Sequence, residues 1–259
     1  MDVTAPEVMA GCEPASHVGG GGVGAVVVHG FTGTPASVRE VGEAIAAAGF
    51  DVEVPRLPGH GTSVDDMLST DWSAWFGEVE RARVDLERRC ERVVLVGQSM
   101  GGTLVLASAL GRPPAGLVCV NPLTRMRSEE ELALLDELLD DGLVVVPGEG
   151  SDIADPDSSD TSYPGTPLRP LRSLLYEGVA PLADRYGEIG TPLRLFTSRQ
   201  DHVVTPEDSE HLAATFGGRV EHTWLERSYH VATRDFDRHV VIDGTVDFMH
   251  RITTERNHS

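Results

Sequence analysis

Short apolar runs rich in β-branched residues alternate with amphipathic segments through most of the chain. This alternation is typical of a parallel sheet covered by helices, because parallel strands are joined by crossovers that usually contain a helix. Six strands are predicted, at residues 25–28, 52–54, 93–96, 117–120, 193–197 and 220–225. The pattern therefore predicts an α/β fold with a mainly parallel central sheet flanked by helices.

Helices are predicted between these strands, at residues 35–48, 72–89, 100–110 and 129–140. The first has Pro35 in its opening turn and Gly49 at its end, which are common start and stop signals. His239 and His250 lie in a predicted final helix, and His222 lies inside the last predicted strand. These elements favour one domain that spans residues 1–259.

The regular spacing of strands ends after Asn121. An acidic helical segment is followed there by a stretch rich in Pro, Gly, Ser and Asp, in which no sheet strand is predicted. The roughly 70 residues between two core strands are too many for a simple crossover. We expect residues 122–190 to form a small cap or lid over the carboxyl edge of the sheet, where folds of this class bind ligands. A surface insertion without a functional role is the alternative.

The chain is strongly acidic, with 41 acidic and 21 basic residues and a net charge of −20. All 21 of the basic residues are arginines. Nucleic acids and anionic membrane surfaces attract positive charge, so neither is an expected partner. The acidity indicates solubility, and codon bias or a salty habitat are two explanations of the missing lysine.

No apolar run approaches the roughly 20 residues of a bilayer-spanning helix, so no transmembrane segment is expected. The N-terminus also lacks a basic stretch followed by an apolar core of signal-peptide length, which makes a cytoplasmic location the expectation. Cys12, Cys90 and Cys119 have no metal-binding or redox spacing, and Cys90 and Cys119 are predicted to be buried thiols. The sequence leaves open whether the protein is a monomer or a weak dimer.

Residues 97–101 read Gly-Gln-Ser-Met-Gly, a match to Gly-x-Ser-x-Gly between a predicted strand and a predicted helix. A nucleophile in this motif occupies a sharp, strained turn with little room for neighbouring side chains, which explains the flanking glycines. The N-terminal end of the following helix adds partial positive charge. The pentapeptide also occurs by chance, so Ser99 needs activating partners before it counts as a nucleophile.

A serine hydroxyl needs a histidine to accept its proton, and the imidazole needs a carboxylate to fix its tautomer. Asp201 follows the predicted strand 193–197 and His230 follows the strand 220–225, so both are expected at the same sheet edge as Ser99. The alternative for Asp201 is a role as a helix N-terminal residue, and the alternative for His230 is a role as a buried histidine that forms hydrogen bonds. His202 precedes no further acid in the required order and is expected to shape its loop.

Attack on an ester carbonyl creates an oxyanion, which backbone N–H groups can stabilise. One donor is expected at Met100, directly after the nucleophile. The other is assigned to Phe31, in the loop after the first predicted strand, where flanking glycines allow close approach to a substrate. His29 is expected to orient this loop rather than to act as a base.

Four separated segments carry a family resemblance. They are His-Gly-Phe-Thr-Gly-Thr-Pro at 29–35, Pro-Arg-Leu-Pro-Gly-His-Gly-Thr at 55–62, Gln-Asp-His-Val-Val at 200–204 and Ser-Tyr-His-Val-Ala-Thr at 228–233. Together they resemble the bacterial monoacylglycerol lipase and carboxylesterase family of small α/β-hydrolases. The likeness runs from about residue 23 to the C-terminal helix and is weak between residues 123 and 192.

The resemblance implies the α/β-hydrolase fold, with Ser99, Asp201 and His230 as catalytic triad and Phe31 and Met100 as oxyanion donors. It also implies a small mobile cap, an acyl tunnel lined by apolar side chains and a pocket for glycerol or another short alcohol. Residues 150–157 resemble the family segment that leads to an acidic, glycerol-contacting cap residue, and Asp160 is its nearest counterpart. The chain departs from the family at Gln98, where Leu is frequent, and across residues 123–148.

The expected function is a serine hydrolase that cleaves small lipid-like carboxylic esters, above all monoacylglycerols, without a metal or an organic cofactor. A broad short-chain carboxylesterase and a lipase for mono- and diacylglycerols are the enzymatic alternatives. Epoxide hydrolases and dehalogenases of related fold use an aspartate nucleophile, so Ser99 argues against both. A ligand-binding protein that keeps a hydrolase fold is the non-enzymatic alternative.

Overall fold

The computed structural model describes residues 6–20, 22–148 and 150–254, and its main feature is a central sheet. The described residues form the strands β1 (Ala15–His17), β2 (Val23–Val28), β3 (Asp51–Val54), β4 (Arg92–Gln98), β5 (Gly116–Val120), β6 (Val145–Pro147), β7 (Gly165–Pro167), β8 (Leu193–Ser198) and β9 (Val220–Leu225). Seven of them form one sheet in the order β1-β3-β2-β4-β5-β8-β9. β1 is antiparallel to β3 and the remaining neighbours are parallel, so the predicted architecture is present.

All six predicted strands are present, and their ends differ from the prediction by at most two residues. The edge strand β1 is missing from the prediction because Ala15, Ser16 and His17 show neither β-branched residues nor a clear alternation. The expectation about location drew partly on residues 1–5, which lie outside the described residues.

Helices cover both faces of the sheet. They are α1 (Pro35–Ala47), α2 (Val64–Met67), α3 (Trp72–Glu87), α4 (Met100–Gly111), α5 (Glu129–Asp140), α6 (Leu168–Ser173), α7 (Pro206–Thr215) and α8 (Arg238–Thr254). Side chains cap the starts of several, since Thr34 accepts from the N–H of Ala36 and Asp71 from that of Ala74. Such caps each stabilise a helix by about 1 kcal/mol. The four helices predicted between strands are confirmed.

The buried strands β2 and β4 separate two apolar cores. Val26 and Leu95 face the core that contains residues of α3 and α4, whereas Val27 and Val94 face the core that contains residues of α1 and α8. Successive side chains of a strand point to opposite faces, so one continuous apolar run serves both cores. This packing fixes the strand ends from which the site residues project.

The segment between β5 and β8 contains α5, α6 and a small antiparallel sheet of β6 and β7. The expectation that residues 122–190 hold no strand is therefore wrong. Each of these strands has only three residues and ends in proline, at Pro147 and Pro167, so neither gives the pattern of a core strand. A π-helical turn, Leu174–Val179, continues α6 toward the sheet.

Cys12, Cys90 and Cys119 are buried free thiols, as predicted for the last two. Burial raises the pKa of the Cys90 thiol to about 11. Across the described ranges no helix is long and apolar enough to cross a membrane. The same residues contain no group of three or more His, Cys, Asp or Glu side chains that could hold a metal ion.

Candidate active site

Ser99 occupies a strained turn between β4 and α4, with φ of 55° and ψ of −122°. A non-glycine residue in this region costs about 1–3 kcal/mol, which the surrounding structure must offset. A Cβ atom on Gly97 would lie 2.2 Å from the carbonyl oxygen of Gly101, and one on Gly101 would lie 2.3 Å from that of Val28. Both glycines are therefore required for the turn to close.

Asp201 and His230 meet beside this turn. His230 Nδ1 lies 2.7 Å from Asp201 Oδ2, and both side chains are buried. The other carboxylate oxygen of Asp201 accepts the N–H groups of Val203 and Val204, at 2.9 and 2.8 Å. The carboxylate is thus held from two sides. It orients the His230 ring so that the Nδ1–H group donates to Asp201.

Ser99 and His230 line the same cavity. No hydrogen bond between their side chains is present in the described part of the chain. Contacts of this kind are frequently long in a free enzyme and tighten when substrate binds. The two residues follow β4 and β9, so the carboxyl edge of the sheet brings them together as the strand order predicts.

Phe31 and Met100 present free backbone N–H groups near Ser99. Neither N–H has an acceptor among the described residues. Met100 is the first residue of α4, where an N–H group has no partner inside its helix. A Cβ atom on Gly30 would lie 3.1 Å from Ser99 Cβ, so the Phe31 loop runs directly against the turn. These two donors are suitably placed to bind an oxyanion.

His29 holds the Phe31 loop, as the sequence predicts. Its Nε2 accepts the N–H of Leu57 at 3.2 Å, so its proton is on Nδ1, which lies 3.0 Å from the carbonyl oxygen of Gly30. Burial lowers the pKa of His29 well below its usual value. The ring is therefore neutral and has no free nitrogen with which to act as a base.

His60 packs against His29, Phe31 and Trp75 beneath this loop. Its Nδ1 lies 3.0 Å from the carbonyl oxygen of Pro58, while Nε2 has no partner among the described residues. Burial lowers the pKa of His60 to about 4. At a pH between this pKa and the value of about 6.5 in the unfolded chain, His60 is protonated in the unfolded chain but not in the folded one.

We predict that His60→Asn weakens the pH dependence of folding. His60 destabilises the folded state progressively as the pH falls from about 6.5 to about 4, because only the unfolded state takes up its proton there. An asparagine amide can still donate to Pro58 but does not titrate. Urea unfolding at pH 7 and pH 5 should show a smaller loss of stability in the variant than in the natural protein, and equal losses would contradict the prediction.

Asp160 lies in the same cavity as Ser99. Both of its carboxylate oxygens lie 2.9 Å from the hydroxyl of Ser37, whose single proton the carboxylate accepts. Burial raises the pKa of Asp160, and the Ser37 hydrogen bond partly offsets this effect. The structure therefore places Asp160 where a substrate could contact it.

The cavity has a volume of about 210 Å³ and is formed by the sheet edge and by the segment between β5 and β8. The sheet side contributes Gly30, Phe31, Thr32, Gly33, Ser37, Gln98, Ser99, Val203, His230 and Val231. The other side contributes Gly148, Gly150, Ser151, Asp152, Asp160, Ser162, Tyr163, Gly165 and Thr166. Small and hydroxyl-bearing residues thus dominate the lining, and none of the arginines that the structure describes belongs to it.

Asp152 joins this second side to the two loops of Asp201 and His230. Its carboxylate accepts the N–H groups of His202 and His230, both at 3.1 Å, and lies 2.8 Å from His202 Nδ1. Its carbonyl oxygen accepts the N–H of Val231 at 3.1 Å. The sequence analysis missed Asp152, whose only signal is its position in the segment 150–157.

Asp152→Ala should lower kcat/KM for p-nitrophenyl butyrate about fivefold, because a net loss of roughly 1 kcal/mol follows when the backbone N–H groups of His202 and His230 lose their acceptor. His202→Phe is the matched control: it removes one ring contact of Asp152, can keep the packing against Tyr229 and leaves the N–H of His230 bonded. We expect less than a twofold change in the control. Equal losses in the two variants would show that the ring contact, not the support of His230, matters.

Other polar residues missed by the sequence analysis tie the loops together. Asn121, at φ of 45° after β5, donates to the Ser198 hydroxyl and to the carbonyl oxygen of His230 at 2.8 Å. The buried carboxylate of Asp235 accepts the N–H of Ala154 at 2.8 Å, and Asp208 accepts the N–H of Thr124, also at 2.8 Å. Buried acceptors thus hold the segment between β5 and β8 at two places, Thr124 and Ala154.

His222, His239 and His250 do not line the cavity. His222 is in β9, where its Nε2 lies 2.8 Å from the hydroxyl of Thr197. His239 is exposed on α8, and His250 of the same helix packs against Phe50. His202 contacts Asp152 and Tyr229 and so shapes its loop, in line with the prediction.

Comparisons with known proteins bear on the family and the fold of the chain. The model of the alpha/beta hydrolase family matches residues 25–243. The thermostable monoacylglycerol lipase of Bacillus sp. (strain H-257) is 36% identical over 251 residues, 93% of this chain and 95% of that protein. The carboxylesterase of Bacillus subtilis (strain 168) is 24% identical over 90% of this chain and 94% of its own length.

A solved structure from the description of LipS and LipT, two metagenome-derived lipolytic enzymes, has a TM-score of 0.88 to this chain. It is 35% identical and covers 95% of this chain and 100% of its own. The monoacylglycerol lipase of Paleococcus ferrophilus, at 17% identity and a TM-score of 0.73, shares the fold over 92% of this chain and 98% of its own.

Proposed function

The chain belongs to the alpha/beta hydrolase family, and we propose that it hydrolyses monoacylglycerols through an acyl-enzyme on Ser99. It is a carboxylic ester hydrolase. The observation that carries the proposal is the 2.7 Å contact of Asp201 Oδ2 with His230 Nδ1, in the cavity that also exposes the strained Ser99.

In the proposed mechanism the Ser99 hydroxyl attacks the ester carbonyl carbon and gives its proton to Nε2 of His230. Asp201 holds the Nδ1 proton and stabilises the resulting imidazolium. The free N–H groups of Phe31 and Met100 bind the oxyanion, an effect worth about 3–4 kcal/mol for one donor in other hydrolases. The alcohol leaves with the proton from His230. Water then attacks the carbonyl carbon of the acyl-enzyme and gives a proton to His230. That proton returns to the Ser99 oxygen as the carboxylic acid is released.

We propose that the insertion at residues 122–190 is the cap of this active site. Its residues from Gly148 to Thr166 form one side of the cavity, and the buried carboxylates of Asp208 and Asp235 hold it at two places. Asp160 extends from this cap toward the cavity and is a substrate-binding candidate for the glycerol group.

A broad short-chain carboxylesterase is the second candidate, and the size of the cavity favours it. The volume of about 210 Å³ is below the 300–1,000 Å³ that is usual for pockets that bind small molecules. A short acyl chain fits this space without rearrangement of the cap.

Rates on glycerides of one acyl chain length distinguish these functions. We expect kcat/KM to be at least tenfold higher for monobutyrin than for dibutyrin, and tributyrin to be hydrolysed most slowly. Monoolein then tests whether the cap admits a long chain. Equal rates on all three butyrins would contradict the monoacylglycerol proposal, and hydrolysis of butyrate esters without any hydrolysis of monoolein would favour the short-chain esterase.

A further inference from the structure

The hydroxyl of Thr233 makes two short contacts that cannot both use its proton. Thr233 Oγ1 lies 2.6 Å from the backbone carbonyl oxygen of Ser37 and 2.6 Å from Oε1 of Gln98. A threonine hydroxyl has one proton to donate and lone pairs with which to accept. A backbone carbonyl oxygen can only accept, so the proton of Thr233 belongs to Ser37.

The amide group of Gln98 must therefore donate to Thr233. If its oxygen faced Thr233, two oxygen atoms would lie 2.6 Å apart without a proton between them. The oxygen and nitrogen of an amide have nearly the same shape, and the hydrogen-bond network decides which is which. The amide is therefore assigned with a rotation of 180°, which puts Nε2 of Gln98 against Thr233 and Oε1 on the other side of the amide.

Oε1 of Gln98 is then an unused acceptor beside the nucleophile. Gln98 lines the cavity with Ser99 and Asp160, whereas Thr233 lies behind it. The amide forms no further hydrogen bond within the described residues, and Gln98 is 4% exposed. This second amide atom is not among the buried side-chain atoms that lack a partner in the described structure, so it is open to the cavity, where a ligand hydroxyl can donate a hydrogen bond to it.

The position of Gln98 indicates which part of an ester it meets. Its anchor Thr233 lies in the short helical turn Ala232–Arg234, directly after His230. His230 gives its proton to the leaving alcohol in the mechanism above, so the leaving group lies on the His230 side of Ser99. Ser37 connects Gln98, through Thr233, to the carboxylate of Asp160, and Gln98 and Asp160 line the same cavity.

We propose that Gln98 is a specificity-determining residue, whose amide oxygen accepts a hydrogen bond from a hydroxyl on the alcohol part of the ester. This inference rests on the proposed function, since it assigns a substrate feature to the same site. The substrate class is an ester of a polyol or another hydroxylated alcohol. An alcohol of equal size without a hydroxyl leaves Oε1 unpaired and reacts more slowly.

Two esters that differ by a hydroxyl and a methyl group test this assignment. 2-Hydroxyethyl butyrate and propyl butyrate have leaving groups of nearly the same size, and neither is a glyceride. The natural protein should show a higher kcat/KM for the hydroxylated ester. Gln98→Met, which keeps the length of the side chain but has no acceptor, should lower kcat/KM for the hydroxylated ester about tenfold more than for propyl butyrate.

Variants of Thr233 test the orientation of the amide. Thr233→Ser keeps the hydroxyl and should keep the preference, whereas Thr233→Val removes the anchor and should reduce it. Equal losses of Gln98→Met on both esters, or an unchanged preference, would overturn the assignment and leave the proposed function intact. If the natural protein hydrolyses neither butyrate, the proposed function and this assignment both fail. Circular dichroism of each variant controls for folding.

Discussion

Ser99→Ala is expected to lower kcat for hydrolysis of p-nitrophenyl butyrate by about a million-fold, the loss seen when a serine nucleophile is removed from a catalytic triad. No other hydroxyl combines a strained turn, a following helix and two free N–H groups at the same point of the described structure. The activity that remains should be independent of His230, because the histidine has no nucleophile left to activate. Stopped assays at high enzyme concentration measure the residual rate.

The fold should survive this substitution. The Ser99 side chain is not part of any hydrogen bond in the residues that the structure describes, so alanine removes no buried bond. Ser99→Gly is the matched control, because glycine relieves the strain at φ of 55° and should raise the free energy of unfolding by about 1 kcal/mol while it abolishes activity. A Ser99→Ala protein that folds and keeps more than a hundredth of the natural rate would contradict the assignment of the nucleophile.

Asp201→Asn is expected to reduce kcat about ten-thousand-fold. The amide oxygen can still accept from Val203 and Val204, but the amide nitrogen then faces Nδ1 of His230. Nδ1 must therefore become an acceptor, which moves the proton of the ring to Nε2. In this tautomer His230 cannot take the proton of Ser99.

Asp208→Asn is the matched control for Asp201→Asn. Asp208 is also buried and also uses one carboxylate oxygen, Oδ1, to accept two backbone N–H groups, those of Thr124 and Arg125. No histidine contacts its other oxygen among the described residues, and burial already raises the pKa of Asp208. We expect kcat within about threefold of the natural value. If the two asparagine variants lose activity equally, Asp201 has a structural role rather than the proposed one.

Sequence reasoning located the strands and the residues at their ends because these depend on local patterns. The apolar runs of β2, β4 and β5 are buried on both faces and stand out from the amphipathic helices around them. In a parallel sheet the carboxyl ends of all such strands lie at one edge, so chain order alone brings Ser99, Asp201 and His230 together. The glycines beside Ser99 added a steric requirement that a chance motif lacks.

The contacts that shape the cavity could not be predicted in this way. Asp152 and His230 are 78 residues apart, and Gln98 and Thr233 are 135 residues apart. Such bonds join a side chain to whatever group the tertiary fold places beside it, and periodicity carries no information about them. The strands β6 and β7 were missed for a related reason, since three residues are too few to show an alternation.

The pocket for the alcohol illustrates the same limit. The resemblance suggested Asp160 as a contact for glycerol, whereas the hydrogen bonds of Thr233 lead to the proposal that Gln98 presents a second acceptor nearby. Without the positions of Ser37 and Thr233, Gln98 was only a departure from the leucine that the family often has. The structure thus turns an unexplained residue into a testable part of the substrate site.

The most direct test of the central claim, that Ser99 is the activated nucleophile of an ester hydrolase, is to locate the adduct formed with a fluorophosphonate. Intact mass spectrometry and peptide mapping should find one phosphonyl group per chain, on Ser99, with activity lost in proportion to labelling. Asp201→Asn should slow the labelling strongly, because the same histidine activates the serine. A chain that remains unlabelled at Ser99 while it hydrolyses esters, or one that loses activity through labelling elsewhere, would contradict the account.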